Sequence, residues 1–293
     1  MVTKRVGIIG GSGLYHIGGL SNKERRKVDT PFGEPSDELF IGQLGEREVV
    51  FLPRHGRGHR LLPSEINYRA NIWALKKLGV EWIISVSAVG SFKKKIKPLD
   101  IVLIDQYFNW TNGRQHQTFF GEGIAAHIMF AHPVCESLRK ILYDVCLEEM
   151  DTSSVHWGGT YLNMEGPPFS TKAESMIYQS WGVDVIGMTN MSEARLAREA
   201  EICYATLAMV TDYDCWIEGD SDAIVSVDMV IQNLNKNAEL ARKIIQRSIL
   251  NIPQERSCPC ASALSKAIIT QRDLIPEKTK QKLELIIGKY VPS

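Results

Sequence analysis

Two hydrophobic periods alternate along most of the chain. Short, nearly continuous apolar runs at residues 6–9, 48–52, 82–86, 101–104, 183–188 and 204–210 predict buried strands. Between them lie stretches with helical spacing. Residues 64–78 place Ile66, Ala70, Trp73 and Ala74 on one face and stop at Gly79. Residues 135–149 are amphipathic, and residues 192–200 form a short helical pattern. Thr171-Lys172-Ala173-Glu174 is a capping box, which opens a helix ending at Trp181-Gly182. Residues 226–249 carry a long stripe of Val227, Val230, Ile231, Leu234, Ala238, Ala241 and Ile245. Strands alternating with helices predict an α/β protein with a largely parallel sheet. No repeat or low-complexity tract divides the chain. Residues 1–252 read as one domain, and residues 253–293 as a partly helical extension.

Composition narrows the function classes. The chain has 293 residues, 44% of them hydrophobic, enough for a sizeable core. Lys plus Arg and Asp plus Glu both number 34, so the basic balance of a nucleic-acid binder is absent. No apolar run reaches membrane-spanning length, and the first residues lead straight into a strand, so the expectation is a cytoplasmic protein without a signal peptide.

Cys135, Cys146 and Cys203 fall in apolar segments and read as small core residues. Spacing offers no zinc motif, so no metal site is expected. Cys258-Pro259-Cys260 stays open between a strained local disulfide, a bond to another chain and an inert tail feature.

Polar chemistry collects where strands end, the usual place for ligands in α/β proteins. Thr211-Asp212-Tyr213-Asp214 follows the run at 204–210. If the strand continues, Asp212 and Asp214 share a face, and two close carboxylates repel until one holds a proton. Such a pair both donates and accepts, which suits a heterocycle with a ring nitrogen beside an amine; a solvated turn is the alternative. Gly10-Gly11-Ser12-Gly13 departs from the dinucleotide fingerprint, but its amides and hydroxyl can face an anion. Residues 53–60, with Arg54 and His55, read equally as a solvated basic loop and as a phosphate site. Residues 85–91 supply small hydroxyl groups, and Gly187-Met188-Thr189 ends another strand, with Glu193 just beyond. Phe169, in the rigid turn 165–170, can stack on a flat ring or fill a core. Together these loops suit phosphate plus a purine.

The segments at 7–13, 30–37, 54–57, 67–76 and 211–214, in this order and spacing, resemble those of the methylthioadenosine phosphorylases of the nucleoside phosphorylase superfamily. The match spans residues 6–249 and is nearest to archaeal members, which also carry a Cys-x-Cys near the C-terminus and assemble as hexamers. The resemblance implies a single-domain fold with a central mixed, twisted sheet flanked by helices. It implies phosphate attack on C1′ of methylthioadenosine, releasing adenine and 5-methylthioribose 1-phosphate, with adenosine also accepted. Inorganic phosphate would be a co-substrate, with no metal or organic cofactor. By the same resemblance Ser12, Arg54, His55, Ser87, Ala88 and Thr189 hold phosphate, and Met188 lies under the ribose. Asp212 and Asp214 bind adenine and act in catalysis, and Phe169 packs on the base. Ser170, Val227, Val230, Ile231 and His127 set specificity, His127 coming from a neighbouring subunit of a trimer or dimer of trimers.

This chain departs from the family pattern at three places. Pro168 stands where the family has Arg, residues 190–192 lack the family's Val-Pro, and Gly187 replaces the Asn of animal members. Three rivals stay open: a purine nucleoside phosphorylase preferring 6-oxopurines, a silent nucleoside-binding protein, and a hydrolase. The first conflicts with Asp212, where that class carries Asn. The last conflicts with the Arg54-His55 cluster.

Overall fold

Strict alternation along the apolar strands sorts their side chains onto the two faces of one sheet. The computed structural model describes residues 5–11, 14, 20–112, 117–217 and 227–292, apart from the side chains of Val227 and Met229. The N-terminal half runs β1 (Arg5–Gly10), β2 (Ser21–Arg26), β3 (Leu39–Leu44), β4 (Arg47–Pro53), α1 (Tyr68–Lys77), β5 (Val80–Ser91), β6 (Ile101–Leu103) and β7 (Gln106–Trp110). It continues with α2 (Glu136–Glu149), β8 (Val155–Trp157), β9 (Thr160–Met164), α3 (Lys172–Ser180) and β10 (Val185–Gly187). The chain closes with α4 (Asn190–Glu199), β11 (Cys203–Asp212), α5 (Val227–Asn251) and α6 (Glu277–Ile287).

Among the described residues the sheet is mixed and holds 11 strands, in the order β2-β3-β4-β1-β5-β10-β9-β7, with β11 branching from β5, β6 pairing with β11 and β8 with β6. Val6, Ile8, Val49, Phe51, Trp82, Ile84, Cys203 and Ala205 point to the face covered by α2 and α5. Their neighbours Ile9, Val50, Leu52, Ile83 and Tyr204 point to the other face, where they meet α1, α4 and α6. Period-two strands buried on both faces explain why these runs read as continuous apolar sequence. Residues of the C-terminal extension, including Leu264, Ile275, Leu283 and Ile287, share that second apolar cluster. Among the described residues no helix is long and apolar enough to cross a membrane.

The central strand β5 creates the site. One of its edges is covered by β11, in parallel register from Cys203↔Trp82 to Asp212↔Gly90. The other edge is shared. β1 pairs with it in parallel as far as Ile9↔Ser85, and β10 returns antiparallel at Ile186↔Gly90 and Val185↔Ser91. Among the described residues this edge has no strand partner between Ser85 and Gly90. Residues 85–91, expected to leave the strand, continue it instead. Small side chains tolerate the crowded sheet centre, which is why the segment resembles a loop in sequence.

Candidate active site

The gap in the β5 edge opens into a cavity of about 410 Å³. The C-terminal ends of β1, β4, β5 and β11 reach it from one side because these strands are parallel. β10 reaches it because its antiparallel path brings Met188 and Thr189 back beside Ser87 and Ala88.

At one corner Arg54 follows β4, and its amide donates to the Gly10 carbonyl at 3.0 Å. Arg54 is 3% exposed, and its side chain pairs with Glu193 of α4 through Nε and Nη2. Nη1 donates to the Val86 carbonyl at 2.8 Å, and Nη2 to Ser85 Oγ at 2.6 Å. These four bonds leave one Nη1 hydrogen of the five guanidinium donors for the cavity. Burial lowers the Arg54 pKa, but the Glu193 carboxylate outweighs it and the net shift is upward. Beneath this pair, Tyr204 Oη and Ser85 Oγ each donate to Glu193 Oε2 at 2.8 Å. Asn190 Nδ2 lies within hydrogen-bond distance of Ser85 Oγ, Tyr204 Oη and Thr206 Oγ1 and has two hydrogens to share among them. Glu193, Ser85 and Asn190 therefore form a buried scaffold under the corner. Sequence reading noted Glu193 without giving it a role; a carboxylate on the buried face of a helix was the available signal.

His55 lies beside Arg54, and its ring stacks on His59 with centroids 4.1 Å apart. Burial and then the Arg54 charge push its pKa down to about 4. Nδ1 lies 2.9 Å from the Leu61 carbonyl, which can only accept, so Nδ1 carries the proton. Neutral His55 is left with Nε2 as an acceptor. In that form His55 suits a protonated phosphate oxygen. Ser87 Oγ lies 3.3 Å from Tyr161 Oη, to which the Thr189 amide donates at 3.5 Å. A Cβ at Gly187 would fall 1.9 Å from that same hydroxyl, so Tyr161 occupies the space an Asn at 187 would need.

The opposite end carries the carboxyl pair. β11 ends at Asp212, and Asp214 lies beyond it in a turn with φ of 52°. The expected strand alternation is therefore not what unites them. Asp212 Oδ1 accepts the Asp214 amide at 2.8 Å, and this turn brings both side chains to the cavity. Thr211 Oγ1 donates to Asp212 Oδ2 at 2.6 Å, and Ser175 of α3 donates to Asp214. Burial pushes both carboxyls above the ordinary range. Mutual repulsion, the cause expected from sequence, is the smaller contribution at Asp212. Gly90 is required here, because a Cβ would lie 2.9 Å from Asp212 Oδ1.

A family model described as the phosphorylase superfamily matches residues 5–250. The S-methyl-5′-thioadenosine phosphorylase of Geobacter sulfurreducens is 57% identical over 98% of this chain and 99% of its own. That of Koribacter versatilis is 56% identical over 97% and 96%. The chain belongs to the methylthioadenosine phosphorylase family. A solved methylthioadenosine phosphorylase from an antarctic soil metagenomic library superposes with a TM-score of 0.91, at 46% identity over 98% of this chain and 99% of that one. A Schistosoma mansoni adenosine/methylthioadenosine phosphorylase mutant in complex with methylthioadenosine superposes at 0.79, with 38% identity over 86% and 92%.

Of the residues that the resemblance marks out, Arg54, His55, Ser87, Ala88 and Thr189, expected to hold phosphate, line this cavity. Met188, Phe169, Ser170, Asp212, Asp214 and Val230 line it as well. Ser12 lies outside the described residues, as does the Val227 side chain. Ile231 does not line the cavity; it sits half-exposed, one step around α5 from Val230. Instead Leu234, Ala238 and Ala241 continue the Val230 face along the wall. His127 is exposed and does not line the cavity of its own chain.

Proposed function

We propose that this protein catalyses phosphorolysis of S-methyl-5′-thioadenosine to adenine and 5-methylthioribose 1-phosphate. The observation that carries the reading is one cavity with an arginine-centred anion corner and, across it, two buried carboxyls with raised pKa values.

Chemistry assigns each end. Adenine presents N7, an acceptor, beside its exocyclic amine, a donor. A protonated Asp212 donates to N7, and Asp214 accepts from the amine. A 6-oxopurine presents two acceptors on that edge and would require two protonated carboxyls, so the pair selects 6-aminopurines. Phosphate sits against Arg54, Ser87 and Thr189, with its own hydrogen directed to His55 Nε2.

During reaction a phosphate oxygen forms a bond to C1′ as the C1′–N9 bond breaks. The bonding pair leaves with the base, which takes a proton at N7 from Asp212. Monohydrogen phosphate gives up its proton as it becomes the sugar phosphate, so protons balance once Asp212 is recharged. General-acid help of this kind is worth about 10²–10⁴-fold. Phosphate is the co-substrate, and the step draws on no metal or organic cofactor.

Met188 lies under the ribose and Phe169 against the base. Val230 and Leu234 shape the end that takes the 5′-methylthio group. His127 completes that end from a neighbouring subunit of a trimer or dimer of trimers, a placement supported by its exposure on its own chain. Rates on methylthioadenosine, adenosine and inosine test the reading. Methylthioadenosine is expected to lead, adenosine to follow and inosine to trail; an inosine preference refutes the assignment of the carboxyl pair.

A further inference from the structure

Four of the six cysteines, drawn from three separate stretches of sequence, converge. The sulfurs of Cys135, Cys203, Cys258 and Cys260 all lie within 4.8 Å of one another. Every one is a free thiol, and the Cys203 and Cys258 sulfurs stand 3.2 Å apart. A disulfide bond is about 2.05 Å, so none is formed. We infer that these four cysteines constitute a closed tetrathiolate site for a single zinc ion, which fastens the C-terminal extension to the sheet.

The geometry fits one ion. Zinc with four sulfur ligands at about 2.3 Å places those sulfurs about 3.8 Å apart. Separations from 3.2 Å to within 4.8 Å straddle that value. Sulfurs this close leave no room for the several irons of a cluster. An all-thiolate set also selects against magnesium, calcium and manganese, which take oxygen ligands.

The ligands come from three rigid elements. Cys135 is the N-cap residue of α2, and its side chain makes no capping hydrogen bond. Its amide donates to the Tyr204 carbonyl at 2.8 Å, which docks the helix start beside the first residue of β11, Cys203. Cys258 and Cys260 flank Pro259 at the start of a short 3-10 helix. Arg256 anchors this segment by donating to the Glu201 carbonyl at 2.6 Å and pairing with Glu81 at 3.2 Å. Cys135, Cys203 and Cys260 are buried, and Cys258 is partly covered. Simple apolar packing would not require four sulfurs aimed at one point.

The expectation that no metal site exists came from spacing along the chain. Cys258-Pro259-Cys260 supplies only half the set, and the fold brings the other half from residues 135 and 203. The four cysteines lie outside the active-site lining, and four protein ligands leave no open position. The site is therefore structural. Binding converts four thiols to thiolates and releases four protons to solvent, so occupancy falls as pH is lowered.

Elemental analysis of the full chain, expressed with zinc and purified under reductant, tests this inference. One zinc per chain is expected, released in step with mercurial titration of the thiols. Cys258→Ser with Cys260→Ser should abolish the bound zinc and lower Tm, and chelation of the wild-type protein should reproduce that loss of Tm. Phosphorolysis at room temperature should persist in the double variant. Reduced, folded wild-type protein that carries no stoichiometric zinc, even after incubation with zinc and gel filtration, overturns the inference. So does a mass showing the loss of hydrogens expected for disulfides, or a Tm indifferent to chelation.

Discussion

Arg54 and Glu193, 139 residues apart in sequence, meet as a buried two-point ion pair at one corner of the cavity. The pair holds the guanidinium against the unpaired edge of β5 and leaves one donor toward the cavity. Removing one partner of a buried pair costs about 3–5 kcal/mol. Glu193→Gln is expected to lower thermal stability and to raise the KM for phosphate, while the KM for the nucleoside changes less. Steady-state kinetics with each substrate varied in turn checks this. An unchanged phosphate KM would show that Arg54 keeps its place without Glu193.

Asp212→Asn separates catalysis from stability. Burial raises the Asp212 pKa, so the folded protein favours the protonated form and loses stability as pH rises through the folded-state pKa. Asparagine carries no charge there. The variant is expected to lose about 10²–10⁴-fold in kcat/KM on methylthioadenosine. Its Tm at alkaline pH should match or exceed that of the wild type. Melting curves beside the kinetics decide whether lost activity is chemical or merely unfolding.

His55 should titrate near pH 4 rather than near its ordinary 6.5. The unfolded chain takes up that proton first, so this residue lowers stability as pH falls from 6.5 toward 4. Bound phosphate supplies a negative partner and is expected to shift the midpoint upward. An NMR titration of the His55 ring, with and without phosphate, reads both values. A midpoint near 6.5 in the free protein would contradict the lowering by burial and Arg54.

On the proposed function, discrimination between methylthioadenosine and adenosine is expected to rest on the apolar face of α5 that lines the cavity. A pocket of this type separates methylthio from hydroxyl by about 1–3 kcal/mol, or about 10–200-fold. Val230→Thr is expected to narrow the ratio of kcat/KM values toward adenosine, with little change in phosphate KM. An unaltered ratio would place the 5′ group elsewhere in the cavity.

Much of this architecture is legible in the sequence because strong periodicity marks it. The capping box at Thr171 and Glu174 forms with both reciprocal hydrogen bonds. The run at 204–210 lies within β11, and the α5 stripe lines the cavity through Val230 and Leu234. β2 escapes because its residues, Ser-Asn-Lys-Glu-Arg-Arg, are all exposed and carry no apolar signal. The C-terminal part of β5 escapes because small residues such as Ser87, Ala88, Gly90 and Ser91 in a crowded sheet look like a loop. Asp214 reaches the cavity through a left-handed turn that strand alternation does not anticipate. The Arg54–Glu193 pair and the four-cysteine cluster are contacts between distant segments, which no local pattern encodes.

The most direct measurement follows the products from methylthioadenosine as phosphate is added. Adenine and 5-methylthioribose 1-phosphate are expected in equal amounts, with a rate that saturates in phosphate and falls toward zero without it. Adenine released at the same rate without phosphate, alongside free methylthioribose, would contradict phosphorolysis and make the protein a hydrolase.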